Sequence, residues 1–88
     1  MALLNVQVVS PEEALFTGEA EFILARTVEG EIGILPGHSP VLAQLTASKV
    51  KVRPVGGADQ IFDIAGGFMT VKDNQVIILT DQIQEVEQ

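Results

Sequence analysis

The chain has a single histidine, His38, and a serine follows it at once. An imidazole beside a hydroxyl, oriented by a carboxylate such as Asp59 or Asp63, is the composition of an acyl-transfer site. In such a site the histidine takes the serine proton and the carboxylate holds the ring. Adjacency in sequence does not supply that geometry, and a loop histidine more often serves packing or contact. A metal centre needs three or four ligands, and one histidine with scattered carboxylates is a thin set.

Six of the twelve carboxylates fall in three pairs: Glu12 and Glu13, Glu29 and Glu31, Glu85 and Glu87. Strand positions two apart share a face, so Glu29 and Glu31 read first as a solvated edge and second as a pair projecting together toward a cationic partner. Lys49, Lys51 and Arg53 form the opposite pattern: a solvated strand face first, a docking patch for acidic groups second. The stretch 30–40, GEIGILPGHSP, carries three glycines and two prolines. It has no lysine and precedes no helix, so it lacks what a phosphate-cradling loop requires. Its glycines and prolines are better read as shaping a rigid strand, turn and loop that presents Glu31 and His38 at one end of a sandwich.

The elements that must hold these residues read as short strands. Leu4, Val6 and Val8 alternate with Leu3, Asn5 and Gln7. Pro11 ends that strand, because it cannot donate to a ladder. Ser10 and Glu13 match a helix capping box in form, but β-formers and Gly18 follow too soon for a helix. Ala14 to Thr17 is expected as a short strand, Gly18 as a bulge or bend, and Ala20 to Arg26 as a second strand. A turn at Glu29-Gly30 leads to a strand over 31–35, which Pro36-Gly37 ends with type II turn chemistry.

An apolar run resumes over Val41 to Leu45. Lys49 to Arg53 alternates most clearly of all, and its cations and Pro54 suit a sheet edge. Further strands are expected over Gln60 to Ala65 and Phe68 to Val71, with Gly66-Gly67 a bulge or close backbone approach between them. Asp73-Asn74 suits a hairpin turn. Val76 to Leu79 reads as a buried strand and 81–87 as a final edge. Turn signals every eight to twelve residues and no convincing helix give an all-β class. The expected architecture is an antiparallel β-sandwich of about ten short strands, one domain over 1–88.

Composition narrows the function. The net charge is −7 with five basic residues, so a nucleic acid or an anionic membrane surface would repel the chain. There is no Trp or Tyr and only four Phe, which leaves few platforms for stacking bases or sugars. There is no cysteine, hence no disulfide or thiolate chemistry. No window approaches the roughly 18 apolar residues of a membrane span, and the N-terminus lacks a signal-peptide pattern. A stand-alone β-sandwich that binds a small ligand remains the alternative; a deep apolar pocket with converging polar groups would mark it.

Three blocks are more specific than composition. They are VVSPE with LFTGEA at 8–20, GEIGILPGHSP at 30–40, and GGF at 66–68 followed by Val71 and by NQV at 74–76. In these, and over nearly the whole length, the chain resembles the N-terminal β-sandwich domain of the epsilon subunit of rotary F-type ATP synthases (delta in mitochondria). Ser39 stands where that family commonly has alanine. Ser48 lies near a position often held by a turn glycine, and Thr70 replaces a frequent glutamate.

The resemblance implies a non-catalytic subunit of the central rotor, linking the gamma subunit to the c-ring and coupling proton transport to ATP synthesis. It implies a peripheral position on the cytoplasmic side of an energy-transducing membrane, the bacterial plasma membrane foremost. By resemblance Glu29, Glu31 and His38 belong to a loop facing the c-ring, and Val41 and Leu42 lie toward gamma. Longer family members continue into a helical hairpin that can inhibit ATP hydrolysis and in some species binds ATP. No position matching that nucleotide site is present, so no cofactor is expected.

Overall fold

A computed structural model describes residues 2–81 and the backbone of 83–86. Among these residues there are nine strands and no helix. They are β1 (Leu4–Val9), β2 (Ala14–Thr27), β3 (Gly30–Ile34), β4 (Val41–Leu45), β5 (Ser48–Pro54), β6 (Gln60–Ile64), β7 (Gly67–Lys72), β8 (Gln75–Thr80) and β9 (Ile83–Val86). The hydrogen-bonded order is β1-β8-β7-β4-β2-β5-β6-β9, with β3 on β2 and an additional β1–β2 pairing.

β2 carries the architecture. Its first half pairs with β1 from Ala14 to Ala20, its second half with β5 and with β3, and Thr27 meets Leu45 of β4. One strand therefore belongs to both layers of the sandwich. The sequence suggested two strands broken by a bulge at Gly18. Instead Gly18 sits in register opposite Val6, and the register shift falls later, between Ala20 and Phe22. A glycine weakens a ladder without breaking it when its neighbours pair on both sides.

The expected all-antiparallel pairing needs a second correction, because β1 and β8 run parallel, Asn5 opposite Gln75 through Val9 opposite Leu79. The strands lie about 70 residues apart in sequence, and their connection runs through most of the fold rather than a hairpin. A third correction concerns β5, which is interior, flanked by β2 and β6. Its cations mark an outward face and say nothing about an edge. The hydrogen-bonded edge beyond β6 is β9. The side chains of 83–87, Glu85 and Glu87 with them, lie outside the described residues.

Alternation builds the core. Leu4, Val6 and Val8 of β1, Val50 and Val52 of β5, Met69 and Val71 of β7, and Val76 and Ile78 of β8 are all at most 2% exposed. Ile23, Ile34 and Phe62 fill the space between them. The Phe16 and Phe62 rings meet edge to face at 6.5 Å, a favourable aromatic arrangement. At the β1–β2 turn the Ser10 hydroxyl accepts from the amides of Glu12 and Glu13, at 3.4 and 3.3 Å, without starting a helix.

On the outer face of β5, Asp59 pairs with Arg53 at 3.1 Å and with Lys51 at 4.0 Å. Arg53 also lies over the Phe22 ring at 5.7 Å. These groups are one-third to one-half exposed, so water and salt screen them. Asp59→Asn is expected to lower stability by less than about 1 kcal/mol, and by less at high salt, in urea denaturation. A loss several times larger, independent of salt, would show that Asp59 serves the packing instead.

Candidate functional site

The loop after β3 is built as its residues dictate. Ile34 is buried and Leu35 is exposed. Pro36 sets its own φ, Gly37 has φ +90°, and the His38 amide donates to the Leu35 carbonyl at 3.1 Å. This is the expected type II turn. The Gly37 amide donates to Asn74 Oδ1 at 2.7 Å, which ties the loop to the β7–β8 hairpin. That hairpin turns at Asp73 and Asn74 with φ 51° and 62°, the left-handed pair of a type I′ turn.

His38 is half-buried, and its Nδ1 lies 2.7 Å from the Ser39 carbonyl oxygen. A carbonyl only accepts, so this contact places the proton on Nδ1. Asp59 is engaged with Lys51 and Arg53, and Asp63 stands opposite Lys49 in the β5–β6 ladder. Neither orients His38, so the structure does not assemble the histidine, serine and carboxylate into a triad. Among the described residues no three His, Asp or Glu side chains are grouped as a metal site would require.

Glu29 and Glu31 occupy the β2–β3 hairpin, but differently from the expectation. Glu29 is in the turn itself, where its amide donates to Thr27 Oγ1 at 3.0 Å. Glu31 is on the strand opposite Arg26, with its carboxylate 3.8 Å from the guanidinium. Both are exposed, and the two-residue rule does not join them because only one is in a strand. Glu31 lies near the start of β3, whereas His38 follows the strand's end by four residues, past the turn closed on the Leu35 carbonyl. Glu29 and Glu31 thus form an acidic hairpin tip, and His38 lies in the loop that is tied to the Asn74 turn.

Val41 and Leu42 point to opposite sides of β4. Val41 packs against the core, whereas Leu42 is 76% exposed. Leu42 is accompanied by residues from apolar runs that alternation alone does not place outside. Phe68, Ile77 and Leu79 are exposed on β7 and β8, with Phe68 paired to Leu79 and Thr70 to Ile77 and Leu42. The signal was present in Val76 to Leu79: four apolar residues in one strand put two outside, and no helix lies among the described residues to cover them.

The result is an apolar outer face across β4, β7 and β8. A depression of about 300 Å³ at its margin is framed by Ser10, Pro11, Phe68 and Leu79. A smaller groove of about 220 Å³ runs from Leu42 to Val28. Both lie at or under the lower bound of roughly 300 Å³ for small-molecule pockets, and both are open troughs rather than enclosed sites.

Such a molecule is a small β-sandwich whose outward chemistry is contact: one apolar face, one face of ion pairs and an acidic hairpin. The chain belongs to the ATP synthase delta/epsilon chain family, as its β-sandwich domain, with residues 3–86 matching the family pattern. It is 45% identical over 82 residues to the ATP synthase epsilon chain of Corynebacterium diphtheriae, covering 92% of this chain and 67% of that protein. With the epsilon chain of Bordetella parapertussis it shares 48% over 82 residues, 92% of this chain and 58% of the relative. The chain thus spans between just over half and two-thirds of the length of these relatives. Its fold superposes on a chain of the Euglena gracilis mitochondrial ATP synthase, solved with OSCP, F1 and c-ring. There the TM-score is 0.89 and identity 30%, covering 97% of this chain and 54% of that one. A chain of the Tetrahymena thermophila mitochondrial ATP synthase shares the fold at TM-score 0.79 and 23% identity, covering 93% and 66%.

Proposed function

We propose that residues 1–88 act as one non-catalytic domain of the central rotor of a proton-translocating F-type ATP synthase, joining gamma to the c-ring. The domain couples proton transport to ATP synthesis by transmitting torque through its interfaces. Its place is peripheral, on the cytoplasmic side of a bacterial plasma membrane, a reading supported by its bacterial relatives. The observation that carries the proposal is the apolar face of Leu42, Phe68, Ile77 and Leu79, a surface of the kind that seats a protein partner. Gamma is assigned to that face. Glu29 and Glu31 at the hairpin tip are assigned to the basic side chains of the c-ring loops.

Calorimetric titration with the cognate gamma subunit tests the reading, and absence of any association would end it. The ring contact has its own test. Glu31→Lys reverses a charge in a site where both ion-pair partners are more than half exposed. Rotor assembly is expected to weaken more at low salt than at high salt, since exposed pairs are screened. Equal loss at both salts would identify a packing defect.

A further inference from the structure

The geometry points to Asn74 as the positioning residue that fixes the His38 loop before a partner arrives, an inference that rests on the docking role proposed above. Three observations meet at this one residue. Its Oδ1 accepts from the Gly37 amide at 2.7 Å, across 37 residues of sequence. Its own carbonyl accepts from the Asn5 amide at 2.8 Å. Its φ of 62° is a left-handed conformation in which glycine carries no steric penalty and is the usual choice in a type I′ turn.

Asparagine therefore occupies a position where glycine would satisfy the backbone. What it adds is an acceptor, and a backbone amide can only donate, so the oxygen must face Gly37. The amide of Gly37 stands at the apex of the Pro36-Gly37 turn and makes no turn hydrogen bond of its own. The bond to Asn74 thus holds the apex of a loop whose base is already closed by His38 and Leu35. The clamped loop continues through Pro40 into β4, two residues from Leu42 on the apolar face. Holding it in one conformation before docking removes an ordering cost from association.

Two substitutions separate the acceptor from the turn. Asn74→Gly keeps the left-handed turn and deletes the acceptor; Asn74→Asp keeps an acceptor on a residue that tolerates the same φ. Amide exchange by NMR on the whole chain, with calorimetric titration of the gamma subunit, reads both consequences. In Asn74→Gly the Gly37 amide is expected to exchange at least about tenfold faster while the core amides of β5 and β6 keep their rates. Affinity for gamma is expected to fall about five- to tenfold, and Asn74→Asp to restore both. Unchanged Gly37 exchange in Asn74→Gly would overturn the clamp, and faster exchange with unaltered affinity would overturn its role in docking. A wild-type chain that binds no gamma would instead sink the rotor reading, with the exchange comparison still deciding the clamp.

Discussion

Gly67→Ala is expected to leave the chain without a cooperative unfolding transition. Gly67 opens β7 opposite Thr80 with φ +145°, a region essentially reserved for glycine. A methyl group there would fall on the Leu79 carbonyl oxygen and within 2.9 Å of Thr80 Cα and 3.0 Å of the Leu79 carbonyl carbon. All three atoms are backbone of the neighbouring strand, so no side chain can swing aside. Relief requires separating β7 from β8, the pairing that carries the apolar face and flanks Met69, Val71, Val76 and Ile78 of the core.

A penalty of several kcal/mol then meets a total stability on the order of 5–15 kcal/mol, nearer its floor for a domain this small. Two controls isolate the cause. At Gly18 an added methyl meets only the Phe16 ring at 3.5 Å, and at Gly56 it meets nothing within 4 Å but inherits φ +71°. Gly18→Ala is expected to be nearly neutral and Gly56→Ala to cost about 1–2 kcal/mol. Urea denaturation followed by circular dichroism orders the three. A Gly67→Ala chain within about 1 kcal/mol of wild type would show that β7 and β8 leave room for a methyl group between them.

Phe68→Ser with Leu79→Ser is expected to cost binding far more than folding. The two residues are a directly opposed pair, 51% and 52% exposed, while their neighbours Met69 and Ile78 are fully buried. Truncation removes outward apolar surface and leaves the core intact. At a docking face such anchors are worth about 2 kcal/mol or more, a loss of roughly 30-fold or greater in affinity for gamma. The melting temperature is expected to stay within a few degrees. The matched control is Leu24→Ser, half-buried on the outer face of β2. A larger effect at Leu24 than at the Phe68–Leu79 pair would move the gamma seat to the opposite layer.

What could be read from sequence was local. Pro36-Gly37 and Asp73-Asn74 specify their turns by their own dihedral preferences, and Val50 and Val52 declare their inward face by alternation. The Gly66-Gly67 expectation of a close backbone approach was met by the Leu79–Thr80 backbone. The remainder depended on partners distant in sequence. The parallel pairing of β1 with β8 and the sharing of β2 between layers follow from how the sheet closes, which no window of ten residues encodes. The same is true of the hydrogen bond from Gly37 to Asn74. The apolar face was hidden for another reason: a continuous apolar run reads as burial on both sides, and only the layer count shows that one side of β8 faces out.

Methyl NMR of the chain titrated with its gamma subunit tests the docking face most directly. The Leu42, Ile77 and Leu79 methyls are expected to shift or broaden as the complex forms, while those of Leu24 and Ile61 in the other layer keep their positions. Perturbation of Leu24 and Ile61 with Leu42, Ile77 and Leu79 unmoved, or no perturbation at saturating gamma, would contradict it.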